Sequence, residues 1–192
     1  MNMPVSVSNL SCVRGGRTLF EGVNFKLARG DALHITGRNG VGKSSLLRVL
    51  AGLLPAKGQY HVLGARVLVD GRCALDLEVP LGKALKFWQS GVTQTGIDTV
   101  LTKLELSALV ETPVGFLSQG QRQRAGLACA MLMDAPVWLL DEPFNGLDSE
   151  SAARLIRIMA EKCDDGGVII LAAHGKVGLA SMPQFNLDLC VC

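Results

Sequence analysis

The sequence predicts an α/β fold in which helices cover both faces of a mostly parallel sheet. Two short and wholly apolar runs, residues 137–140 and 168–173, are typical of strands buried on both faces. A third predicted strand, residues 32–37, leads through a glycine-rich loop into a helix. Strands that alternate with helices favour parallel pairing through right-handed crossovers.

The remaining elements follow from periodicity and from turn residues. Further strands are predicted over residues 5–13, 22–28 and 185–191, with two short ones within 59–69, and further helices over 43–54, 80–88 and 97–109. Another amphipathic helix is indicated by apolar residues at positions i, i+3, i+4 and i+7, which are Ala152, Leu155, Ile156 and Met159. We interpret residues 1–192 as a single domain, with a helical lobe at about residues 72–135.

The composition allows one sizeable core and gives no signal for nucleic acid. Of 192 residues, 48% are hydrophobic, and the mean hydropathy is +0.31. The 19 Lys and Arg residues against 17 Asp and Glu residues leave a net charge of +2, so no basic surface is predicted. No apolar run reaches the roughly 18 residues that a membrane-spanning helix needs. The apolar excess is therefore expected in a buried sheet or on a surface that meets a partner.

The N-terminus and the cysteines point to a cytoplasmic protein. No secretory signal is recognised at the N-terminus, and the cysteines lack the C-x₂-C spacing of a metal site. We therefore expect reduced thiols at positions 12, 73, 129, 163, 190 and 192. Cys190 and Cys192 form a C-x-C pair at the chain end, to which the sequence assigns no role.

Residues 37–44 match the phosphate-binding pattern G-x-x-x-x-G-K-[ST], the P-loop, without a mismatch. Its glycines let backbone N–H groups turn towards phosphate oxygens, and the following helix N-terminus favours negative charge. Within the pattern, Lys43 reaches the β- and γ-phosphates and the Ser44 hydroxyl binds Mg²⁺. A glycine turn without a ligand is the alternative, but the flanking strand and helix favour a nucleoside triphosphate site. The residues predicted to bind the nucleotide here are Gly37, Arg38, Asn39, Gly40, Val41, Gly42, Lys43, Ser44 and Ser45.

Asp141 and Glu142 follow the apolar run 137–140, at the edge of the sheet where open α/β folds bind ligands. Asp141 is predicted to ligate Mg²⁺, which prefers carboxylate oxygens and retained water. Glu142 is predicted to orient and deprotonate the attacking water. Such a pair after a strand is more often a solvated turn or a helix cap. The P-loop about 100 residues upstream favours the catalytic interpretation.

Two further segments carry candidate site residues. Ser118 and Gln121 fit an S-x-x-Q capping box, which predicts a helix N-terminus. The same N-terminus, with Gly120, offers backbone N–H groups to a phosphate, so both interpretations hold together. His174 follows the strand at 168–173 and is expected on the sheet edge shared with Asp141, where it donates a hydrogen bond to a γ-phosphate. A polar residue that only terminates the strand is the alternative.

Together these segments resemble the ATP-binding cassette (ABC) ATPase family. The chain carries, in the family's order, the P-loop, the signature-like Leu-Ser-Gln-Gly-Gln at 117–121, the pair at 141–142, a D-loop-like segment at 145–148 and a switch histidine, His174. The resemblance covers nearly the whole chain. It implies a P-loop NTPase fold of the ABC type, with an antiparallel N-terminal subdomain and a small helical lobe beside the mostly parallel sheet.

The resemblance also implies ligands, activity and partners. It implies ATP and Mg²⁺ as ligands, and ATP hydrolysis of the translocase class with Glu142 and His174 as catalytic residues. Two copies bind head to tail in this family, so that Ser118 and Gly120 act in trans. A peripheral position on the cytoplasmic face of the inner membrane is implied, with integral membrane transporter subunits as partners.

A narrower resemblance is to the ATPase subunit of the heme exporter in cytochrome c maturation. It is carried by the short chain length and by residues 9–20, 37–40, 138–144 and 166–171. The implied function is ATP-driven heme export. Two alternatives stay open: an ABC ATPase that serves another importer or exporter, and an ATP-driven regulatory module with little turnover.

The chain departs from the family where the Q-loop is expected. No glutamine occupies residues 69–72, and the nearest ones are Gln59, Gln89 and Gln94. Asp70 is the candidate replacement as a metal ligand, although its carboxylate adds negative charge beside the phosphates. Slow or altered hydrolysis is the expected consequence.

A second departure concerns the adenine. No aromatic residue stands at the family's stacking position, and the nearest apolar side chains are Val13 and Phe20. The preference for adenine is thus implied by the resemblance alone.

Overall fold

The computed structural model describes residues 3–71, 75–89, 96–174, 177–178 and 182–190. The strands in these ranges are β1 (Val5–Arg14), β2 (Arg17–Leu27), β3 (Ala32–Thr36), β4 (Lys57–Val62), β5 (Arg66–Val69), β6 (Val137–Asp141), β7 (Val168–Ala172) and β8 (Gln184–Asn186). The α-helices are α1 (Lys43–Leu50), α2 (Leu81–Lys86), α3 (Ile97–Lys103), α4 (Gln119–Leu132) and α5 (Ser149–Asp164). Short 3₁₀ helices lie at Ser107–Leu109, Val114–Phe116 and Leu187–Cys190.

The strands form two sheets of different character. The larger sheet has the order β5-β6-β7-β3-β8, and each neighbouring pair runs parallel. The smaller sheet, β2-β1-β4, is antiparallel. Its β1–β2 connection is a two-residue turn, Gly15-Gly16, with φ values of 57° and 75°. Positive φ at both positions is what the hairpin turn of type I′ requires, and glycine adopts it without strain.

Successive residues of the parallel strands face two separate apolar clusters, as the period of two along a strand dictates. Leu33, Ile35 and Leu139 face the cluster that contains α1 and the antiparallel sheet. Leu140 and Leu171 face the other cluster, which contains α4, α5 and the helices of the middle segment. The expectation of strands buried on both faces is confirmed.

The helices α2, α3 and α4 fall within the segment interpreted as a helical lobe, and the bounds of that lobe at about 72–135 stay a prediction. Among the residues that the structure describes, no helix is both long enough and apolar enough to span a membrane.

Several predicted boundaries are wrong for physical reasons. The helix predicted over 43–54 ends at Leu50, because Gly52 adopts φ 79° and the Leu53 N–H donates to the Arg48 carbonyl over 2.8 Å. The Gly52 N–H also donates to the Val49 carbonyl, which completes a Schellman motif.

The helix predicted over 97–109 ends at Lys103 in the same way. Glu105 takes the left-handed position with φ 51°, and the Leu106 N–H donates to the Leu101 carbonyl over 2.8 Å. Since the left-handed residue is a glutamate, the sequence carries no glycine signal there. A 3₁₀ turn at Ser107–Leu109 replaces the rest of the predicted helix.

Other predicted elements differ from those in the structure mainly in length. The second strand begins at Arg17 and not at residue 22, since the hairpin turn is only two residues long. The helix predicted over 80–88 is limited to Leu81–Lys86. Within the described residues, the strand predicted over 185–191 covers only Gln184–Asn186, because the Asn186 side chain accepts a hydrogen bond from the Asp188 N–H at 3.0 Å and starts a 3₁₀ turn. Val191 lies outside the described residues.

The described cysteines are free thiols, as expected: Cys12, Cys129, Cys163 and Cys190. Burial raises the pKa of the Cys12 and Cys163 thiols above the ordinary value, so both stay protonated near neutral pH. The remaining two, Cys73 and Cys192, lie outside the described residues.

Candidate nucleotide-binding site

Three strands end at one level and thereby define the site. Ala172 of β7 pairs with Ile35 of β3 on one side and with Asp141 of β6 on the other. The P-loop, Asp141 and His174 consequently leave the sheet at the same edge, as the sequence predicted. On the far side of β6, Val69 of β5 pairs with Leu140, which brings Asp70 alongside Asp141.

The P-loop glycines are required by backbone conformation and by packing. Gly37 and Gly42 have φ values of 138° and 113°, which side chains rarely tolerate. A Cβ atom on Gly42 would stand 3.1 Å from the Phe20 ring and 3.2 Å from Leu19 Cβ. The β1–β2 hairpin therefore packs directly against the loop.

Lys43 is held inside the loop that precedes it. The residue is only 7% exposed, and its Nζ donates to the Gly37 carbonyl at 2.8 Å and to the Arg38 carbonyl at 3.1 Å. These bonds satisfy a charge that would otherwise be costly to bury. The ammonium is thus placed where the loop backbone turns.

Asp188, which the sequence reading missed, holds the start of the P-loop from the C-terminal 3₁₀ turn. Its carboxylate accepts from the Arg38 backbone N–H at 3.0 Å and from Arg38 Nε at 3.1 Å. The two residues are 150 positions apart, so no local pattern could have joined them. A Cβ on Gly37 would also approach Asp188 Oδ2 to 3.3 Å.

Asp141 is partly buried and receives a hydrogen bond from the Ser44 hydroxyl. Burial raises the pKa of the Asp141 carboxyl, and the nearby Asp70 carboxylate adds to this. The Ser44 hydrogen bond and the charges of Arg48 and Lys43 act in the opposite direction. The predicted metal-binding pair, Ser44 and Asp141, is thus brought together.

Asp70 does not stand alone at the place of the expected Q-loop. Arg48 of α1 forms an ion pair with it at 2.8 Å, and the two side chains are only 20% and 12% exposed, respectively. The positive partner offsets the extra negative charge expected there. Arg48 was not identified from the sequence, because an arginine in a helix after a P-loop carries no signal of its own.

A glutamine side chain does reach this region, and it comes from α4. Gln123 Oε1 lies 3.7 Å from the position that a Cβ on Gly71 would take. Two of the glutamines that the sequence offered for the Q-loop lie elsewhere, Gln59 in β4 and Gln89 after α2. The third, Gln94, is outside the described residues.

Glu142 and His174 face one another across the strand ends. The distance between Glu142 Oε1 and His174 Nε2 is 3.4 Å, with 26% and 57% of the side chains exposed. Glu142 has φ 50°, an uncommon conformation for a residue with a side chain, and its N–H donates to the Ala172 carbonyl at 2.8 Å. Backbone strain of this kind is typical of functional sites.

The signature-like segment forms the predicted capping box. The Ser118 N–H donates to Gln121 Oε1 at 2.8 Å, and the Gln121 N–H donates to Ser118 Oγ at 3.2 Å. A Cβ on Gly120 would lie 2.6 Å from the Gly146 carbonyl oxygen, so the segment packs tightly against the D-loop-like segment. Across the described ranges, no hydrogen bond or ion pair joins residues 118–121 to residues 37–45.

Arg124 extends this contact and was also missed from the sequence. Its guanidinium donates to Ser151 Oγ at 2.9 Å, and the Ser151 N–H donates to Asp148 Oδ1 at 2.7 Å, which caps α5. The hydrogen bond from the Ser151 backbone lowers the pKa of the Asp148 carboxyl. The helix that carries the signature is thereby linked to the helix that follows the D-loop-like segment.

One of the two residues considered for the adenine is excluded. Phe20 is fully buried in the core beneath the P-loop, so it has no ring face to offer a base. Val13 is 51% exposed in the β1–β2 hairpin and stays the nearest apolar candidate.

The donor set around Asp141 fits Mg²⁺. Within the described part of the chain, no three His, Cys, Asp or Glu side chains cluster as a dedicated metal site. Mg²⁺ in nucleotide enzymes is usually held by one or two protein oxygens together with phosphates and water. The Ser44 hydroxyl and the Asp141 carboxylate, which lie in contact, supply such oxygens.

The fold and this arrangement define a P-loop ATPase domain of the ABC class, and a comparison of sequences agrees. The profile of the ABC transporter family matches residues 20–145. This chain belongs to the ABC transporter family.

Curated proteins of similar sequence indicate which subgroup of ABC ATPases the chain resembles. The chain is 41% identical to the cytochrome c biogenesis ATP-binding export protein CcmA of Sphingopyxis alaskensis, over 98% of this chain and 99% of that protein. It is 39% identical to the protein of the same name from Zymomonas mobilis, over 97% of this chain and 86% of that protein. The resemblance to the ATPase subunit of cytochrome c maturation is confirmed.

Solved structures share the fold. An ABC transporter ATP-binding protein from Pyrococcus furiosus superposes with a TM-score of 0.84 at 21% identity, over 98% of this chain and 99% of that chain. An ATP-binding subunit of another ABC transporter gives 0.81 at 24% identity, over 90% and 80% of the two chains. The predicted fold class is confirmed, including its antiparallel and parallel sheets.

Proposed function

We propose that the chain is the ATP-binding and ATP-hydrolysing subunit of the heme exporter of cytochrome c biogenesis. The observation that carries the hydrolytic part is the 3.4 Å approach of Glu142 and His174 beside the P-loop strand. The names of the similar CcmA proteins, which include cytochrome c biogenesis and export, support the assignment to this transporter.

Binding of the triphosphate follows from the loop at residues 37–45. Its backbone N–H groups and the N-terminus of α1 favour negative charge. Lys43, already placed at the loop carbonyls of Gly37 and Arg38, contributes a positive charge to the terminal phosphates. The contact between Asp188 and Arg38 keeps the entry of the loop in place.

The metal-side residues are Ser44 and Asp141. When bound there, Mg²⁺ neutralises charge on the β- and γ-phosphate oxygens. Ser44 contributes its hydroxyl oxygen and Asp141 its carboxylate, and Arg48 keeps the neighbouring Asp70 carboxylate in an ion pair.

Glu142 acts on the attacking water, and His174 acts on the γ-phosphate. Glu142 orients the attacking water and accepts its proton through its carboxylate oxygens. His174 donates a hydrogen bond to an oxygen of the γ-phosphate and helps to hold this group in line with the water, while the electron pair of the breaking bond leaves with ADP. The products are ADP and phosphate.

The site is completed by a second copy of the chain. Gly120 packs against Gly146 of the D-loop-like segment, and within the described residues no hydrogen bond or ion pair joins residues 118–121 to residues 37–45 of the same chain. The capped N-terminus of α4 leaves Ser118 and Gly120 available to the nucleotide of a partner that binds head to tail.

The transporter's membrane subunits are the other partners. Two phenylalanines within the predicted helical lobe, Phe87 and Phe116, are 84% and 83% exposed, and we propose that they contribute to the contact with these subunits. We place the chain on the cytoplasmic face of the inner membrane, as a peripheral subunit.

A measurement of nucleotide binding tests the first part of this proposal, that the P-loop binds Mg·ATP. Replacing Lys43 by Ala is expected to weaken Mg·ATP binding by about 10- to 100-fold, since a hydrogen bond to a charged group contributes about 1.5–3 kcal/mol. Binding is measured by calorimetry, with Lys57→Ala on the exposed start of β4 as a control that leaves affinity unchanged. Equal affinity of Lys43→Ala and the unaltered chain would contradict the proposal.

A regulatory module with little turnover is the second candidate. It is favoured by one observation: Asp70, paired with Arg48, stands near the place where the family carries the glutamine of its Q-loop. A chain that binds Mg·ATP tightly and releases no phosphate would support this candidate.

A further inference from the structure

His34 is a buried histidine to which the proposed chemistry gives no role. It lies in the middle of β3, the strand that leads into the P-loop, and is only 1% exposed. Its Nε2 lies 3.0 Å from the carbonyl oxygen of Ala173 on the neighbouring strand end. A carbonyl only accepts hydrogen bonds, so the ring must carry its proton on Nε2.

The bonded carbonyl lies beyond the regular pairing of the two strands. The β3–β7 pairing ends at Ile35 and Ala172, so Ala173 is the first residue past it. Ala173 is itself buried, and a buried carbonyl without a partner is costly. The imidazole thus extends the connection between β3 and β7 by one residue.

The preceding carbonyl is bonded from the opposite side. Glu142, just after β6, donates its N–H to the Ala172 carbonyl at 2.8 Å. Two consecutive carbonyls of the segment that ends in His174 are therefore held, one by the backbone after β6 and one by a side chain of β3. His174 follows immediately, and its ring lies 3.4 Å from the Glu142 carboxylate.

We propose that His34 is a positioning residue for His174. The hydrogen bond from His34 Nε2 to the Ala173 carbonyl fixes the backbone that carries His174, and it couples that backbone to the strand that carries the P-loop. The inference rests on the catalytic role of His174 given above. It adds a residue that touches neither nucleotide nor metal and acts through the peptide unit before His174.

Steady-state ATP turnover separates this role from simple stabilisation of the core. His34→Leu removes the donor, whereas the amide of His34→Gln places an N–H donor at nearly the same reach as Nε2. For histidines that bind metals, loss of the partner that orients the ring typically costs about 10- to 100-fold in affinity or activity, and we take the low end of this range for His174. We expect His34→Leu to lower kcat by about 10-fold with KM for ATP changed less than about twofold, and His34→Gln to restore most of kcat.

A double-variant cycle gives the decisive comparison. In a His174→Ala background, His34→Leu is expected to cause no further loss of kcat, since it acts through the residue already removed. An equal proportional loss in both backgrounds would overturn the inference and leave His34 a core residue. If His174→Ala lowers kcat but His34→Leu does not, only the positioning role fails. If His174→Ala itself retains full kcat, the proposed role of His174 fails, and this inference fails with it.

Nitrogen-15 NMR of the histidine rings in the unaltered chain provides a test that does not depend on folding of a variant. The expected result is a proton on Nε2 of His34. A neutral ring protonated only on Nδ1 would overturn the inference, because such a ring has no proton to donate to Ala173.

Discussion

At the scale of single residues, the site depends on a few charged side chains that lie close to opposite charges. Asp141, Asp70, Arg48 and Lys43 lie near one another at the sheet edge, two negative and two positive. The sequence identified Asp141 and Lys43, because each stands at a fixed place in a recognisable pattern. Arg48 and Asp188 were not identified, because each acquires its role only when distant parts of the chain meet.

Asp141 predicts a particular dependence of stability on pH. Its pKa is raised mainly by burial, so the folded state binds the proton more tightly than the unfolded chain. This contribution to stability is present below the ordinary aspartate pKa and is lost as pH rises through the folded-state pKa.

Asp141→Asn is therefore expected to be more stable than the unaltered chain at pH 7, and the difference closes as pH falls to about 4. Urea unfolding at several pH values measures this. The exposed Glu111→Gln serves as control and shows no comparable gain at pH 7. The stability difference between Asp141→Asn and the unaltered chain is thus expected to be larger at pH 7 than at pH 4. A difference that is smaller at pH 7 than at pH 4 would contradict the account.

At the scale of elements, the pattern of apolar residues determined most strands and helices, while their ends depended on backbone geometry. The apolar strands β6 and β7 were recognisable because both of their faces are buried. The end of α1 was predicted too late although Gly52 offers a glycine signal, and the end of α3 has no such signal, because the left-handed residue of its Schellman motif is Glu105. A glutamate in the left-handed conformation cannot be recognised from the sequence pattern.

The contact between α4 and the D-loop-like segment predicts the effect of a single methyl group. In Gly120→Ala the new Cβ would meet the Gly146 carbonyl oxygen at 2.6 Å, a backbone atom that cannot rotate away. We expect a loss of about 1–3 kcal/mol in the free energy of unfolding, measured by urea denaturation.

Gly96→Ala is the matched control for this prediction. A Cβ there meets no atom of the described residues within 4 Å, and the backbone is extended with φ −66°. Its stability is expected to stay within about 0.5 kcal/mol of the unaltered chain. Similar stabilities for the two alanine variants would show that Gly120 is not packed as described.

At the scale of the whole molecule, the parallel register collects functional residues from distant parts of the chain at one sheet edge. This convergence was predictable, since the carboxyl ends of parallel strands lie at one edge. Two contacts made by this assembly were not: the one between Asp188 and the P-loop, and the one between His34 and Ala173. Each joins residues more than a hundred positions apart, with no shared motif.

The proposed completion of the site by residues 118–121 of a second copy predicts an ATP-dependent dimer. Glu142→Gln should bind Mg·ATP without consuming it, and light scattering should then give twice the mass of one chain. Adding Ser118→Arg is expected to abolish the doubling while leaving the mass without nucleotide unchanged. A single-chain mass at saturating Mg·ATP would exclude the composite site.

Phosphate release from Mg·ATP tests the central claim most directly, with the unaltered chain compared to Glu142→Gln. The variant keeps the shape and the hydrogen-bonding reach of the side chain but lacks the carboxylate that accepts the proton, and positioned general bases contribute about 10²- to 10⁴-fold. We predict that the unaltered chain releases phosphate and that Glu142→Gln binds ATP with similar affinity while its release falls by about 100-fold or more. Equal release by the two proteins would contradict the assignment of Glu142 and, with it, the account of this site as an ATPase.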